Sequence, residues 1–174
     1  MSEPLQATLD ALRARVTRVF PAQVRTAVNA LTDDQIWWRP NESSNSIGNL
    51  VLHLSGSLDY YLNRNLGGLE FTRDRPAEFN ERHPIPKEQL LARFDEMVAN
   101  AVRTFDSLTV ARLGEPSPEP TMYNLLVEDL LNAAMHLANH AGQIVWIAKM
   151  LEVNAVDEVW IRSHRAEGGW KPKA

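Results

Sequence analysis

Two histidines stand one helical turn apart in the stretch LNAAMHLANHAGQIVW, at His136 and His140. An i,i+4 spacing stacks both side chains on one helix face, with Cβ atoms about 5–6 Å apart. Two imidazoles so placed can grip one metal ion at about 2.0–2.1 Å each. A third histidine, His53, lies in another apolar stretch, LVLHLSGS. Three imidazoles from two antiparallel helices, with a fourth position open, are how a catalytic zinc-type site is built. Nitrogen-only ligation suits nickel, iron or copper as well. The plain alternative is that these are border histidines with ordinary hydrogen bonds, because His-x-x-x-His also arises by chance. The chain has no cysteine. Thiolate ligands, disulfides and a cysteine nucleophile are therefore excluded. If a metal binds, three protein ligands leave its fourth position to water or a substrate.

Other residues could serve such a site. Asp129 lies two turns before His136 on the same face, and Asn49 one turn before His53. Either could hold an imidazole through its other ring nitrogen. Asp129 also suits a helix start, where the dipole favours an acid. Gln143 could hydrogen-bond near the site or pack between helices. Tyr60 reads as core, and Trp37 and Trp38 as the cap of a helix-bundle end. His83 and His164 fall in polar segments and read as solvated. Ser43, Ser44 and Ser46 have no paired base in sequence, which argues against a serine hydrolase.

The elements that must position these groups are helical throughout. Residues 5–20 carry Leu5, Leu9, Leu12, Val16 and Val19 at helical spacing. Pro21 then breaks or kinks this helix, or opens a second one over Val24, Ala27, Val28 and Leu31. Thr32-Asp33-Asp34-Gln35 is a capping box before a short turn. Ser46 caps the next helix, 47–66, whose core stripe is Ile47, Leu50, Val51, Leu54, Leu58, Tyr61 and Leu62. Beside that stripe runs an uncharged one, Asn49, His53, Gly56, Ser57 and Tyr60, which sets His53 at the border of the core. Gly67-Gly68 ends this helix. Residues 69–86, with three prolines, read as an irregular connection across the end of a bundle. A clean 3.6-residue pattern follows over 87–108, then a proline-rich loop over 114–120.

The last long helix spans 122–151. Its core face holds Leu126, Leu130, Ala134, Leu137, Ala141 and Ile144, and a second face holds Asp129, His136, His140 and Gln143. A third face, Leu131, Met135, Gly142 and Trp146, is apolar too. A helix apolar nearly all round is buried nearly all round, so a second subunit is expected over the third face. The alternative cover is the tail, 154–174, which contains Trp160 and Trp170 and reads as irregular with at most one short helix.

The whole chain, 1–174, reads as one domain. Hydrophobic residues make up 44% and charged residues 23%, an ordinary soluble composition. The net charge of −4 is spread without a basic block, which argues against nucleic acid or an anionic membrane as partner. No signal-peptide core or bilayer-length apolar run is present, so a cytoplasmic location is the default expectation.

The segments WWRPNESSNSIGNLVLHL and HLANHAGQIVW resemble the DinB-like superfamily of bacterial proteins over essentially the whole chain. The specific matches are Ser46-Ile47-Gly48-Asn49 leading to His53, and His136-x-x-x-His140-Ala141-Gly142-Gln143. The resemblance implies an all-α four-helix bundle of unusual connectivity, here with short extra helices and a C-terminal tail. It also implies a divalent metal, zinc or nickel foremost, on His53, His136 and His140, and a homodimer. Its characterised members include S-transferases and isomerases that use a low-molecular-weight thiol (bacillithiol, mycothiol or glutathione) and a few metal-dependent hydrolases. The leading expectation is a metal-dependent thiol S-transferase acting on a small-molecule substrate. A metal-dependent hydrolase and a non-catalytic, metal-stabilised dimeric bundle are the alternatives. No residue here identifies a thiol.

Overall fold

The structure is a computed structural model that describes residues 3–118, 122–152 and 155. The expected tail, with Trp160, His164 and Trp170, lies outside the described residues. Among those described, the architecture is all-helical, and the one β-type contact is an isolated bridge between Pro116 and Leu125. No described helix is long and apolar enough to cross a membrane.

The chain opens with α1 (Glu3–Ala14), which runs through a π-helical stretch, Arg15–Val19, into α2 (Phe20–Asn29) without a break. Pro21 sits in the first turn of α2, and the wider π turn before it accommodates the missing N–H. The capping box forms as expected: Thr32 Oγ1 accepts from Gln35 N, and Gln35 Oε1 accepts from Thr32 N, opening α3 (Asp33–Trp37). Next comes α4 (Ile47–Leu58), which continues as a second π stretch, Asp59–Arg64. Gly68, at φ 73°, ends it with the left-handed residue that glycine adopts without a Cβ penalty. The π stretch is held by a polar network. Asn63 and Asn100 both donate to Asp59 Oδ1, Asn63 also donates to the Met97 carbonyl, and Thr104 donates to Asn63 Oδ1.

The connection over 69–86 departs from expectation. It contains a helix, α5 (Arg75–Asn80), started by Asp74 Oδ1 accepting from Ala77 N and by Pro76 in the first turn. It packs along α4 rather than across a bundle end, because Asn49, Arg39 and Trp37 reach out to its backbone. Asn49 Nδ2 donates to the carbonyls of Glu78 and Glu81, Arg39 donates to the Glu81 carbonyl, and Trp37 Nε1 donates to that of Ile85.

Then α6 (Lys87–Ser107) and α7 (Leu126–Leu151) complete the layout. The last helix begins four residues later than its apolar pattern suggests. Ser117 and Asn124 pair across the bridge, and Glu128 Oε2 accepts from the backbone of Asn124 and Leu125, which keeps residues 122–125 extended or turned. The core lies among α2, α4, α6 and α7, with Val24, Val28, Leu54, Leu58, Phe94, Met97, Leu130, Leu137 and Ile144 all buried. Each such side chain contributes about 1.5–3 kcal/mol by leaving water. The third face of α7 is not covered by the described chain: Met135 is 70% exposed, Trp146 64% and Leu131 44%.

Candidate metal centre

Two helices and one connection build the site. Ser46 Oγ accepts from Asn49 N and starts α4, so His53 falls two turns along, on the face turned to α7 and α5. His136 and His140 lie one turn apart on α7. The three imidazoles converge: ring centroids are 4.8 Å apart for His53–His136, 5.0 Å for His53–His140 and 4.4 Å for His136–His140. Nε2 of His53 and Nε2 of His136 are 2.9 Å apart, and one ligand nitrogen from each ring lies within 4.8 Å of the others. His53 is 5% exposed, deeper than the border position its stripe suggested.

The outer ring nitrogens decide what the inner ones can do. His140 Nδ1 lies 2.8 Å from Gln143 Oε1, an acceptor, so Nδ1 carries the proton and Nε2 the lone pair. His53 Nδ1 lies 2.8 Å from Glu78 Oε2, which imposes the same tautomer. Burial, followed by the neighbouring His140 and His53, lowers the His136 pKa to about 4. His140 is also lowered, chiefly by burial. Both are neutral at pH 7, the state a metal requires. Burial alone would raise the Glu78 carboxyl, but hydrogen bonds from Arg73 and His53 outweigh it and hold the group below its usual range.

The other expected supports lie elsewhere. Asn49 does not reach His53. Its side chain serves the capping box with Ser46, accepts from Arg39 at 2.8 Å, and ties down the backbone of Glu78. Asp129 is fully buried, but Oδ1 accepts from Asn65 at 3.0 Å and Oδ2 has no partner among the described residues. It anchors the start of α7 to the end of the π stretch instead of serving the histidines. Gln143 does contact His140. Tyr60 is half-buried, with the Arg64 guanidinium 4.7 Å from its ring. Trp37 packs on Gly48, where a Cβ would come within 2.7 Å of the indole. His83 is 98% exposed.

Arg73, Glu78 and Phe79 are the neighbours that pattern reading missed. The Phe79 ring lies 4.6 Å from that of His53. The Asp-Arg-Pro-Ala-Glu run announces a helix start and could have revealed α5, though not the face it turns to His53. A cleft of about 360 Å³ opens beside the site between α4, α5 and α6. It shares Glu78 and Gly56 with the histidine region, has Leu52, Phe71 and Ile85 as apolar walls, and is lined by no histidine.

The donor set suits a divalent ion. Three imidazoles converge, and two of them have their outer nitrogens already committed to acceptors. No curated protein matches the chain significantly. A family model described as protein of unknown function, DUF1572, matches residues 5–164, which is nearly the whole chain. The chain therefore belongs to the DUF1572 family.

Proposed function

We propose that this protein is a DinB-like four-helix bundle that holds a divalent ion, zinc or nickel, on His53, His136 and His140 and uses it for thiol S-transfer to a small electrophile. The convergence of the three ring nitrogens, within 4.8 Å of one another, carries the reading. A bound ion would supply a positive charge that favours the thiolate, the nucleophilic form of a low-molecular-weight thiol. The chain's own part is to present the three imidazoles with their lone pairs free for the ion. Gln143 and Glu78 hold the outer protons, and burial keeps His136 and His140 from charging. Thiol transfer ranks above hydrolysis for a local reason: a hydrolase needs a base, and Asp129, the only acid on the histidine face, is bonded to Asn65. Glu78 is already engaged by Arg73 and His53.

The partners in this reading are a small substrate and a second copy of the chain, with neither nucleic acid nor membrane. The exposed apolar stripe of α7 supports the homodimer. Metal analysis of the purified wild type and of His136→Ala tests the first step; equal metal content in both would sink it. Incubation with an electrophile, with and without a low-molecular-weight thiol, tests the second. Thiol-dependent turnover is expected. Turnover without thiol would replace this reading with hydrolysis, and no turnover in either case would leave a metal-stabilised bundle.

A further inference from the structure

His53 meets a carboxylate that belongs to neither histidine helix. We propose that Glu78 is the positioning residue of the histidine site, its carboxylate holding the proton on His53 Nδ1 and turning the bare Nε2 toward His136 and His140. The inference rests on the metal-holding reading above and extends it to the connection between α4 and α6.

The position of the proton follows from the donors. Arg73 grips Glu78 in a bidentate pair, Nε to Oε1 at 2.7 Å and Nη2 to Oε2 at 2.8 Å. A carboxylate so held accepts hydrogen bonds and does not donate them. His53 Nδ1, 2.8 Å from Oε2, must therefore carry the hydrogen. The Arg73 Nη2 atom lies 3.1 Å from the same ring nitrogen. Both are then donors, so this approach is a contact and not a bond. A neutral imidazole protonated at Nδ1 has its single lone pair on Nε2, the atom 2.9 Å from His136 Nε2.

The surroundings are shaped for this contact. A Cβ on Gly56 would come within 2.1 Å of Glu78 Oε1 and 3.0 Å of its carboxyl carbon. Only glycine lets the carboxylate approach α4 at this height. Side-chain exposures are 6% for His53, 8% for Glu78 and 9% for Arg73. A buried ion pair is weak support for stability by itself, because desolvation offsets its attraction. Holding a ligand's tautomer and ring direction is a role such a pair performs well. Asn49 and Arg39 fix the backbone carbonyls of Glu78 and of Glu81 just after it, so the carboxylate comes from an anchored segment.

The experiment compares the full-length wild type with Glu78→Gln and Gly56→Ala. In the metal-free protein, nitrogen-15 NMR of the histidine rings reads the tautomer directly. Wild-type His53 is expected in the Nδ1–H form, and both variants are expected to mix tautomers. Cobalt(II), titrated by its absorption spectrum, is expected to bind the variants about 10–100-fold more weakly. A merely structural ion pair would lower the melting temperature of Glu78→Gln without moving either readout. If wild-type His53 carries its proton on Nε2, the inference is overturned, and this needs no variant to fold. Variants that bind cobalt as tightly as wild type, with His53 still Nδ1–H, also overturn it while the metal reading stands. A wild type that binds no cobalt overturns the metal reading, and the inference about metal positioning falls with it.

Discussion

Loading the histidine site should stabilise the folded chain by a readable amount. His53 Nε2 and His136 Nε2 are 2.9 Å apart. Two nitrogens on a tetrahedral ion at about 2.0–2.1 Å stand about 3.3–3.4 Å from each other. The rings therefore need only a small separation, and loading gives up one hydrogen bond worth about 1 kcal/mol. At a free ion concentration one hundredfold above Kd, net stabilisation is about 2.7 kcal/mol. For a chain of this size that raises Tm by about 5–11 °C. The assay is thermal unfolding followed by circular dichroism, with zinc or nickel against a chelator reference. His53→Ala leaves two of the three nitrogens and should lose most of the rise. His83→Ala removes an imidazole that is 98% exposed and should keep all of it. An equal rise in all three proteins would place the ion away from the cluster and refute the reasoning, as would a wild type whose Tm ignores the metal.

Two further outcomes follow from other parts of the molecule. Burial raises the Asp59 pKa, partly opposed by hydrogen bonds from Asn63 and Asn100. The folded state thus binds the proton more tightly than the unfolded state, and stability falls as pH rises through the raised value. Asp59→Asn keeps the acceptor oxygen without the charge. Its urea midpoint relative to wild type should climb as pH passes from the acid range to neutral, and a pH-independent difference would contradict this. On α7, Met135→Glu and Trp146→Glu place charges on the exposed apolar stripe. If two copies meet there, sedimentation at micromolar concentration shows a dimer for wild type and a monomer for the variants. A monomeric wild type would disprove the dimer.

Local signals were well expressed in the sequence. The spacing of His136 and His140, the Ser46 cap, the Thr32 capping box and the apolar stripes of α4, α6 and α7 were readable because helix geometry acts over three or four residues. The same locality misled at Asn49 and Asp129. Each shares a face or turn with a histidine, yet each is drawn to a nearer partner from another element: Asn49 to the backbone of 78–81, and Asp129 to Asn65. The connection over 69–86 was hidden for a related reason. Its prolines read as irregular chain, and the helix that Pro76 helps to open is too short to show an apolar period.

By itself, the sequence determined that the fold would be helical, that two imidazoles would share a turn of one helix, and that no cysteine thiolate of the chain could join them. Tertiary structure decided what those imidazoles meet. His53 and His136 are 83 positions apart, and His53 and Glu78 are 25 apart. No periodicity couples such distances. The docking of α7 onto α4, driven by buried Leu54, Leu58, Leu130 and Leu137, brings the rings together. The anchoring of the connection by Asn49, Arg39 and Trp37 then delivers Glu78 to the one gap on α4 that Gly56 leaves open.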